Sequence, residues 1–393
     1  MGLYAQVGLY ALLKSITVFP FTGVSTTYVT LAFDAPMDPG LLSQPSTYTL
    51  GGGLTIVGIT INSNDFRSVM LAVTGTPTFP FSVTINPNVS GLGGGAHVAN
   101  TSVPVNSLPL INADIGIAGA DPSVPGLIIA TGANSYQIQC EGSDIWNNAD
   151  GFNFSYEQKT GDFDVVVRQI STRHTSQWAK GGLMVRETLD AGSRNWNIIN
   201  DPLASDGIMA PDNSGFGANA VECNARVATA GGPGGWAFAG GVPAYPNAWV
   251  RLTRQGQELK AYRSTDGQHW TLLATNNPTL VGDLTPLPAT VYLGICATAH
   301  NNDPVGTPID QLRFLQVADF ANYNSSYIPP STLTVTPSGN NVIISLTPNV
   351  GHLESTSTLG PQPVPWQPVP GGTTSPVSIP MGPGSQFFRV VNP

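Results

Sequence analysis

The sequence predicts an all-β protein, three β-sandwich domains behind an extended N-terminal strand. Three observations predict it. Short runs of β-branched and aromatic residues recur along the 393-residue chain, and Gly, Pro and Asn punctuate them. No stretch carries the 3.6-residue apolar period of an amphipathic helix. Hydrophobic residues make up 41% of the chain, which supplies cores and argues against disorder. Charge is sparse, at 10% against about 25% in an average soluble domain. It is also uneven, and this marks the domains. Residues 1–112 hold five of the 39 Asp, Glu, Lys and Arg side chains, residues 113–320 hold 32, and residues 321–393 hold two.

Residues 1–13 come first. Leu3, Ala5, Val7, Leu9, Ala11 and Leu13 occupy every second position, the pattern of a strand with one buried face. The segment repeats Gly-Leu-Tyr-Ala at 2–5 and 8–11 and has no charged side chain before Lys14. A signal peptide would want a basic start, which is missing. Gly2 and Gly8 each cost a helix about 1 kcal/mol. A membrane span needs about 20 apolar residues. An extra strand of the same molecule and a strand donated to another subunit both remain. On the second reading Leu3, Val7, Leu9 and Leu13 fill core pockets of a neighbour's sandwich. After Lys14 the aliphatic parity switches to Ile16 and Val18, so a separate strand is expected there.

Residues 14–112 hold strand-like runs at 15–19, 28–33, 46–50, 54–61, 68–73 and 82–85, separated by Pro-, Gly- and Asn-rich turns. Six short strands in this length suit an immunoglobulin-like sandwich. Val29-Thr-Leu-Ala-Phe-Asp-Ala-Pro-Met-Asp38, followed by Ser46-Thr-Tyr-Thr-Leu50, resembles bacterial Ig-like domains of cell-surface proteins. The resemblance implies a fold and no catalytic residues. Asp34 and Asp38 read as turn-capping carboxylates.

Residues 113–328 hold six of the seven tryptophans. Five motifs follow in order: Asp144-Ile-Trp-Asn-Asn-Ala-Asp-Gly-Phe-Asn-Phe154, Gly161-Asp-Phe-Asp-Val-Val-Val-Arg168, Trp178-Ala-Lys-Gly-Gly-Leu-Met-Val-Arg-Glu187, Ala248-Trp-Val-Arg-Leu-Thr-Arg254 and Ala261-Tyr-Arg-Ser-Thr-Asp-Gly-Gln-His-Trp270. Together they resemble concanavalin A-like jelly rolls of the laminin-G-like and DUF1349-type group. Phe163, Val165 and Val167 alternate as a half-buried strand should, and 264–268 reads as a hairpin turn. The cysteines, Cys140, Cys223 and Cys296, fit no zinc spacing. Three buried thiols or one disulfide and one thiol are both open. The jelly-roll resemblance implies that first and last strands pair, which would place Cys140 and Cys296 on neighbouring strands as a possible disulfide.

Residues 329–393 follow a Tyr327-Ile-Pro-Pro330 linker and read as a small β-sandwich. Their Gln386-Phe-Phe-Arg-Val390 ending resembles short C-terminal β-domains of secreted bacterial proteins.

Net charge is −9, with no basic patch for nucleic acid and no segment for membrane insertion. The six glutamates form no paired-carboxylate run of a glycosidase. There is no His-Glu-x-x-His or Gly-x-Ser-x-Gly, and the five histidines show no ligand spacing. No enzyme activity, metal or cofactor is expected. Sugar rings stack on aromatics, and Trp178, Trp196, Trp236 and Trp249 are the candidates for this. Trp146 and Trp249 sit in apolar strand patterns and read as core. Trp236 beside the glycine run 231–235 and Trp178 after a polar run are the expected ligand contacts. The function expected is a non-enzymatic extracellular or cell-surface structural or adhesive subunit, self-associating into a polymer by strand donation. The alternative is a carbohydrate-binding protein acting through the jelly roll.

Overall fold

The structure, a computed structural model, describes residues 13–20, 27–33, 35–61, 66–86, 90–91, 102–105, 110–116, 126–132, 134–172, 175–203, 220–238, 243–276, 284–300, 313–323, 332–347, 351–358 and 365–391. It is nearly all β. The only described helices are the single turn Pro39–Leu42 and a 3-10 turn at Pro45–Thr47. Asp38 caps the first, accepting from the Gly40 N–H at 2.8 Å, as its sequence position predicts. Asp34 lies outside the described residues.

The first sandwich contains β1 (Leu13–Pro20), β2 (Thr27–Phe33), β3 (Tyr48–Leu50), β4 (Thr55–Ile61), β5 (Ser68–Thr74), β6 (Phe81–Ile85) and β7 (Ser102–Val105). Its sheets run β1-β2-β5-β4 and β3-β6-β7. Val29, Leu31, Leu71, Val83 and Ile85 fill the core. Leu13 sits opposite Phe33 in this sheet, and the register shifts between Leu13 and Ser15. Lys14 is therefore an extra residue within one strand. A bulge shifts side-chain parity without ending the strand. This corrects the expected strand boundary, and it removes Leu13 from a donated segment. Leu3, Ala5, Val7, Leu9 and Ala11 lie outside the described residues.

The jelly roll is built from β8 (Ile111–Ile115), β9 (Leu127–Gly132), β10 (Ser135–Cys140), β11 (Phe152–Thr160), β12 (Phe163–Thr172), β13 (Lys180–Arg186) and β14 (Asn195–Asn200). It continues with β15 (Val221–Arg226), β16 (Gly235–Phe238), β17 (Ala248–Gln255), β18 (Glu258–Ser264), β19 (Thr271–Thr275), β20 (Thr290–Thr298) and β21 (Arg313–Asn322). One seven-stranded sheet runs β19-β18-β17-β12-β21-β10-β9 and the other β16-β15-β14-β13-β20-β11-β8. Phe163, Val165 and Val167 enter the core between them, as predicted.

The expected disulfide does not form. β10, which carries Cys140, pairs with the last strand β21, but Cys296 lies on β20 in the opposite sheet. Ile295 and Ala297 take the core side of β20, so strand alternation turns Cys296 to the other face beside Phe154. Cys140 stays in the core and donates to the Ala297 carbonyl at 3.2 Å. All three cysteines are buried thiols outside any disulfide.

Contacts divide the chain into two compact units. One is Met1–Arg263 with Thr271–Tyr323, and the other is Ser264–Trp270 with Asn324–Pro393. The first sandwich and the jelly roll group together because β9 lies against β1, β2 and β5. The second unit carries β22 (Thr332–Ser338), β23 (Asn341–Thr347), β24 (His352–Thr356), β25 (Gln367–Pro368), β26 (Val377–Pro380) and β27 (Phe387–Val391). These form two three-stranded sheets, β22-β23-β26 and β25-β24-β27. Among the described residues, only Ile344, Leu346 and Leu353 are fully buried in its core cluster.

Candidate functional site: the outer face of one jelly-roll sheet

The sequence builds β13, β14 and β15 with two buried faces. Leu183, Val185, Trp196, Ile198, Cys223 and Ala225 point into the inter-sheet core. Strand alternation puts Lys180, Met184 and Arg186, then Asn195 and Asn197, then Glu222, Asn224 and Arg226 on the other face. These are buried too, so the face is polar and sequestered. Buried polar groups must find partners. Their partners divide the face into three tiers.

The lowest tier is saturated. Arg226 grips the fully buried Asp150 with Nη2 to Oδ1 at 2.6 Å and Nη1 to Oδ2 at 2.7 Å. Arg186 Nη1 adds a contact to Oδ2 at 3.2 Å. The remaining guanidinium donors reach backbone carbonyls, from Arg226 to Asn147, Trp146, Ala191 and Ser193, and from Arg186 to Thr188 and Asp190. This ties the 141–151 and 187–194 loops to the sheet.

From Asp150 a directed chain leads to the middle tier. Asn195 Nδ2 donates to Asp150 Oδ2 at 3.1 Å, and Asn197 Nδ2 donates to Asn195 Oδ1 at 3.3 Å. Asn197 Oδ1 then meets no hydrogen-bond partner, and neither does either end of the Asn224 amide, among the described residues. Asn224 is 3% exposed. Asn197 and Asn224 are paired in register, and Trp236 is paired with Asn224 on β16. An unsatisfied buried polar group costs about 1–3 kcal/mol. Three such ends on two paired strands are hydrogen-bonding capacity that the described residues leave unused.

The upper tier is charged. Lys180 Nζ donates to Asp144 Oδ1 and to the Trp178 carbonyl, each at 2.8 Å. The ammonium lies 5.5 Å from the Trp178 ring centroid, a cation–π distance. His300 Nε2 is 3.5 Å from Asp144 Oδ2, and His300 Nδ1 is 3.3 Å from Ser176 Oγ. Burial by itself would lower the Lys180 pKa. The charges of Asp144, Glu222 and Asp201 outweigh it and raise the pKa. Burial would likewise raise that of Asp144, but the His300 hydrogen bond and Lys180 together hold it below the usual carboxylate value. The Asp144 and His300 side chains are 22% and 33% exposed, so this tier is the solvent edge of the face.

The structure places the residues named from sequence as follows. Trp178 is half-buried against Lys180. Trp236 takes a register position beside Asn224, and its side chain lies outside the described set. Trp196 is completely buried in the inter-sheet core, and Trp249 is buried as expected. Trp146, expected in the core, is only half-buried, and its carbonyl serves Arg226. Sequence reasoning missed Asn197, Asn224, Lys180 and His300 as a group. The polar alternation in Asn195-Trp-Asn-Ile-Ile-Asn200 and Glu222-Cys-Asn-Ala-Arg226 was the available signal. Among the described residues no three His, Cys, Asp or Glu side chains are placed to hold a metal ion.

Fold and face together define an all-β protein whose largest part is a jelly-roll-like sandwich with a sequestered polar sheet face. No family model matches the chain, and no curated protein matches it. Solved structures similar to it include a protein of unknown function from Saccharomyces cerevisiae, with TM-score 0.36 and 14% identity over 54% of this chain and 98% of that one. Another is the exoplasmic/lumenal domain of VIP36 in its Ca2+/Man3GlcNAc-bound form, with TM-score 0.29 and 10% identity over 53% and 90%. A third is the GH43 protein BlXynB from Bacillus licheniformis, with TM-score 0.27 and 10% identity over 78% and 65%.

Proposed function

We propose that this chain is a non-enzymatic, extracellular carbohydrate-binding protein whose ligand seats on the outer face of β13–β16. The unmet amide ends of Asn224 and Asn197 carry the reading. A sugar hydroxyl both donates and accepts, so it can satisfy acceptor and donor ends side by side. Trp178 at the solvent edge supplies an apolar ring face. Low charge and abundant small polar residues support the extracellular placement. A glycan array on the full chain tests the reading, followed by calorimetry on Asn224→Ala and Trp178→Ala. At least tenfold weaker binding is expected from each variant, with circular dichroism unchanged. A blank array, or variants that bind like the native chain, overturns it.

A polymer-forming structural subunit is the second reading, and one observation favours it. The second unit leaves an open groove of about 730 Å³, lined in part by Val335, Val342, Met381 and Phe388. Val335 and Met381 are 47% and 53% exposed. Residues 3–11 of a second copy, uncharged and aliphatic at alternate positions, match its chemistry. Head-to-tail insertion of this kind builds filaments. Electron microscopy of the native chain and of a variant lacking residues 1–12 decides it. Filaments formed by both, or by neither, refute strand donation.

A further inference from the structure

We infer that His300 is a positioning residue that fixes Trp178 in place for the ligand and makes that hold depend on pH. This rests on the carbohydrate-binding reading for what Trp178 meets, and on the contacts of the upper tier for how Trp178 is held. Those contacts close into a ring that begins and ends on Trp178. The Trp178 N–H donates to Ser176 Oγ at 3.2 Å. Ser176 Oγ is 3.3 Å from His300 Nδ1, and His300 Nε2 is 3.5 Å from Asp144 Oδ2. Asp144 Oδ1 accepts from Lys180 Nζ, and the same ammonium donates to the Trp178 carbonyl, each at 2.8 Å. Three separate stretches of chain meet in this ring: residues 176–180, the 141–151 loop and the end of β20. Linked polar groups polarise one another, so each contact strengthens the next.

The backbone around His300 is tied to both other stretches. Thr175 Oγ1 donates to the Ala299 carbonyl at 2.7 Å, and Thr298 Oγ1 donates to the Gly151 carbonyl at 3.1 Å. His300 itself has φ 53°, in the left-handed region that glycine fills without strain. A residue held there against that preference is held for its side chain. The charges that face it from the described residues are Asp144, in contact, and Lys180 on the other oxygen of that carboxylate. Glu141 is buried nearby, its carbonyl accepting the Ala299 N–H at 3.4 Å. Asp144 is held below the usual carboxylate value and Lys180 above the usual ammonium value, so between about pH 5 and 8 the imidazole is the ring member that titrates. Neutral His300 serves as Nε2–H donor towards Asp144 and as Nδ1 acceptor from the Ser176 hydroxyl. Protonation makes the Asp144 contact charge-assisted, roughly twice as strong. Ser176 Oγ then accepts from both Nδ1–H and the Trp178 N–H, for which it has two lone pairs. Lys180 opposes the added charge from behind the carboxylate and takes back part of the gain. The ring is therefore tighter on the acid side, and a fixed aromatic face costs a ligand less ordering.

Two measurements on the full chain test this, each at about pH 5.5 and about pH 8. Hydrogen exchange of the Trp178 N–H, divided by the intrinsic rate at each pH, reads the clamp without any ligand. A broad glycan array reads binding. The native chain is expected to protect that N–H at least threefold better at the lower pH, and to give array signals at least threefold stronger there. His300→Gln keeps a donor and an acceptor but not the charge. It should match the native chain at the higher pH and show no difference between the two conditions. His300→Ala opens the ring and should lose protection and signal at both, with circular dichroism unchanged. If His300→Ala loses its fold, the His300→Gln comparison decides alone. Protection that ignores the substitutions, or a pH dependence that His300→Gln retains, overturns the inference while carbohydrate binding stands. A blank array overturns both together, since Trp178 then has no ligand to meet.

Discussion

Replacing Asn224 by leucine should make the protein more stable and unable to bind its ligand. The side chain is 3% exposed, and both ends of its amide lack a partner. Each unsatisfied end carries a desolvation penalty of about 1–3 kcal/mol. Leucine has a similar volume and removes both penalties. The neighbouring Asn197, Glu222 and Arg226 remain polar, so only part of the gain should be realised, about 1–2 kcal/mol. For a cooperative unit of roughly 300 residues, unfolding entropy near 2.1 cal/mol/K per residue converts this into about 2–3 °C. Urea denaturation followed by tryptophan fluorescence gives the free energy, and calorimetric scanning gives Tm. Loss of more than about 1 kcal/mol would mean that the amide is satisfied in the folded chain. The argument that this face is built for a ligand would then lose its foundation. Most substitutions of buried residues destabilise, so the expected sign is a demanding one.

Other expectations follow from the same geometry. Asp150→Asn should cost about 3–5 kcal/mol in denaturant unfolding, because it leaves Arg186 and Arg226 buried with uncompensated charge. A loss below 1 kcal/mol would refute the clamp. Asp144 is held below its unfolded value, so its contribution is present above about pH 3.9 and fades as pH falls through the lower folded value. Asp144→Asn should therefore flatten the acid limb of a stability profile. Lys180 is raised, so its contribution is whole below about pH 10.4 and fades as pH climbs through the higher folded value. Lys180→Met should remove that alkaline dependence. The thiols are buried, and burial pushes Cys296 up to about 12. A thiol reagent should find no reactive cysteine in the native chain and three after denaturation, and a disulfide in non-reducing mass analysis would contradict the structure.

Much of the architecture was legible because period-two patterning survives wherever one face of a strand meets solvent. Phe163, Val165 and Val167 showed their core face, and Asp164 showed the outer one, where it meets Arg251 at 2.7 Å. The 264–268 turn was legible from its Ser, Asp and Gly, and Asp266 Oδ1 does accept from the Gln268 and His269 N–H groups. The pattern failed where both faces are buried. Asn195, Asn197 and Asn224 alternate with core residues just as solvent-facing positions do, because alternation tells which side a residue takes and not what covers that side. It failed again at Lys14, where a one-residue bulge looks like a strand boundary. Cys296 was misplaced because distance from a domain end says nothing about which sheet a strand joins. Lys180 and Asp144, 36 residues apart, needed the folded loop to bring them together.

The thin core of the second unit has a kinetic consequence. Among its described residues a core cluster centred on three buried aliphatic side chains leaves little to hold its two small sheets against thermal opening. The jelly roll, by contrast, interlocks seven strands on each side. Amide protons in β22–β27 should therefore exchange with deuterium through frequent local unfolding, while those of β12, β13 and β20 wait for rarer, larger events. Proteases should follow the same order and trim the last unit first, releasing a resistant fragment that ends near Tyr323. The chain is thus a molecule with two clocks, and anything that fills the last unit's groove would slow the faster one.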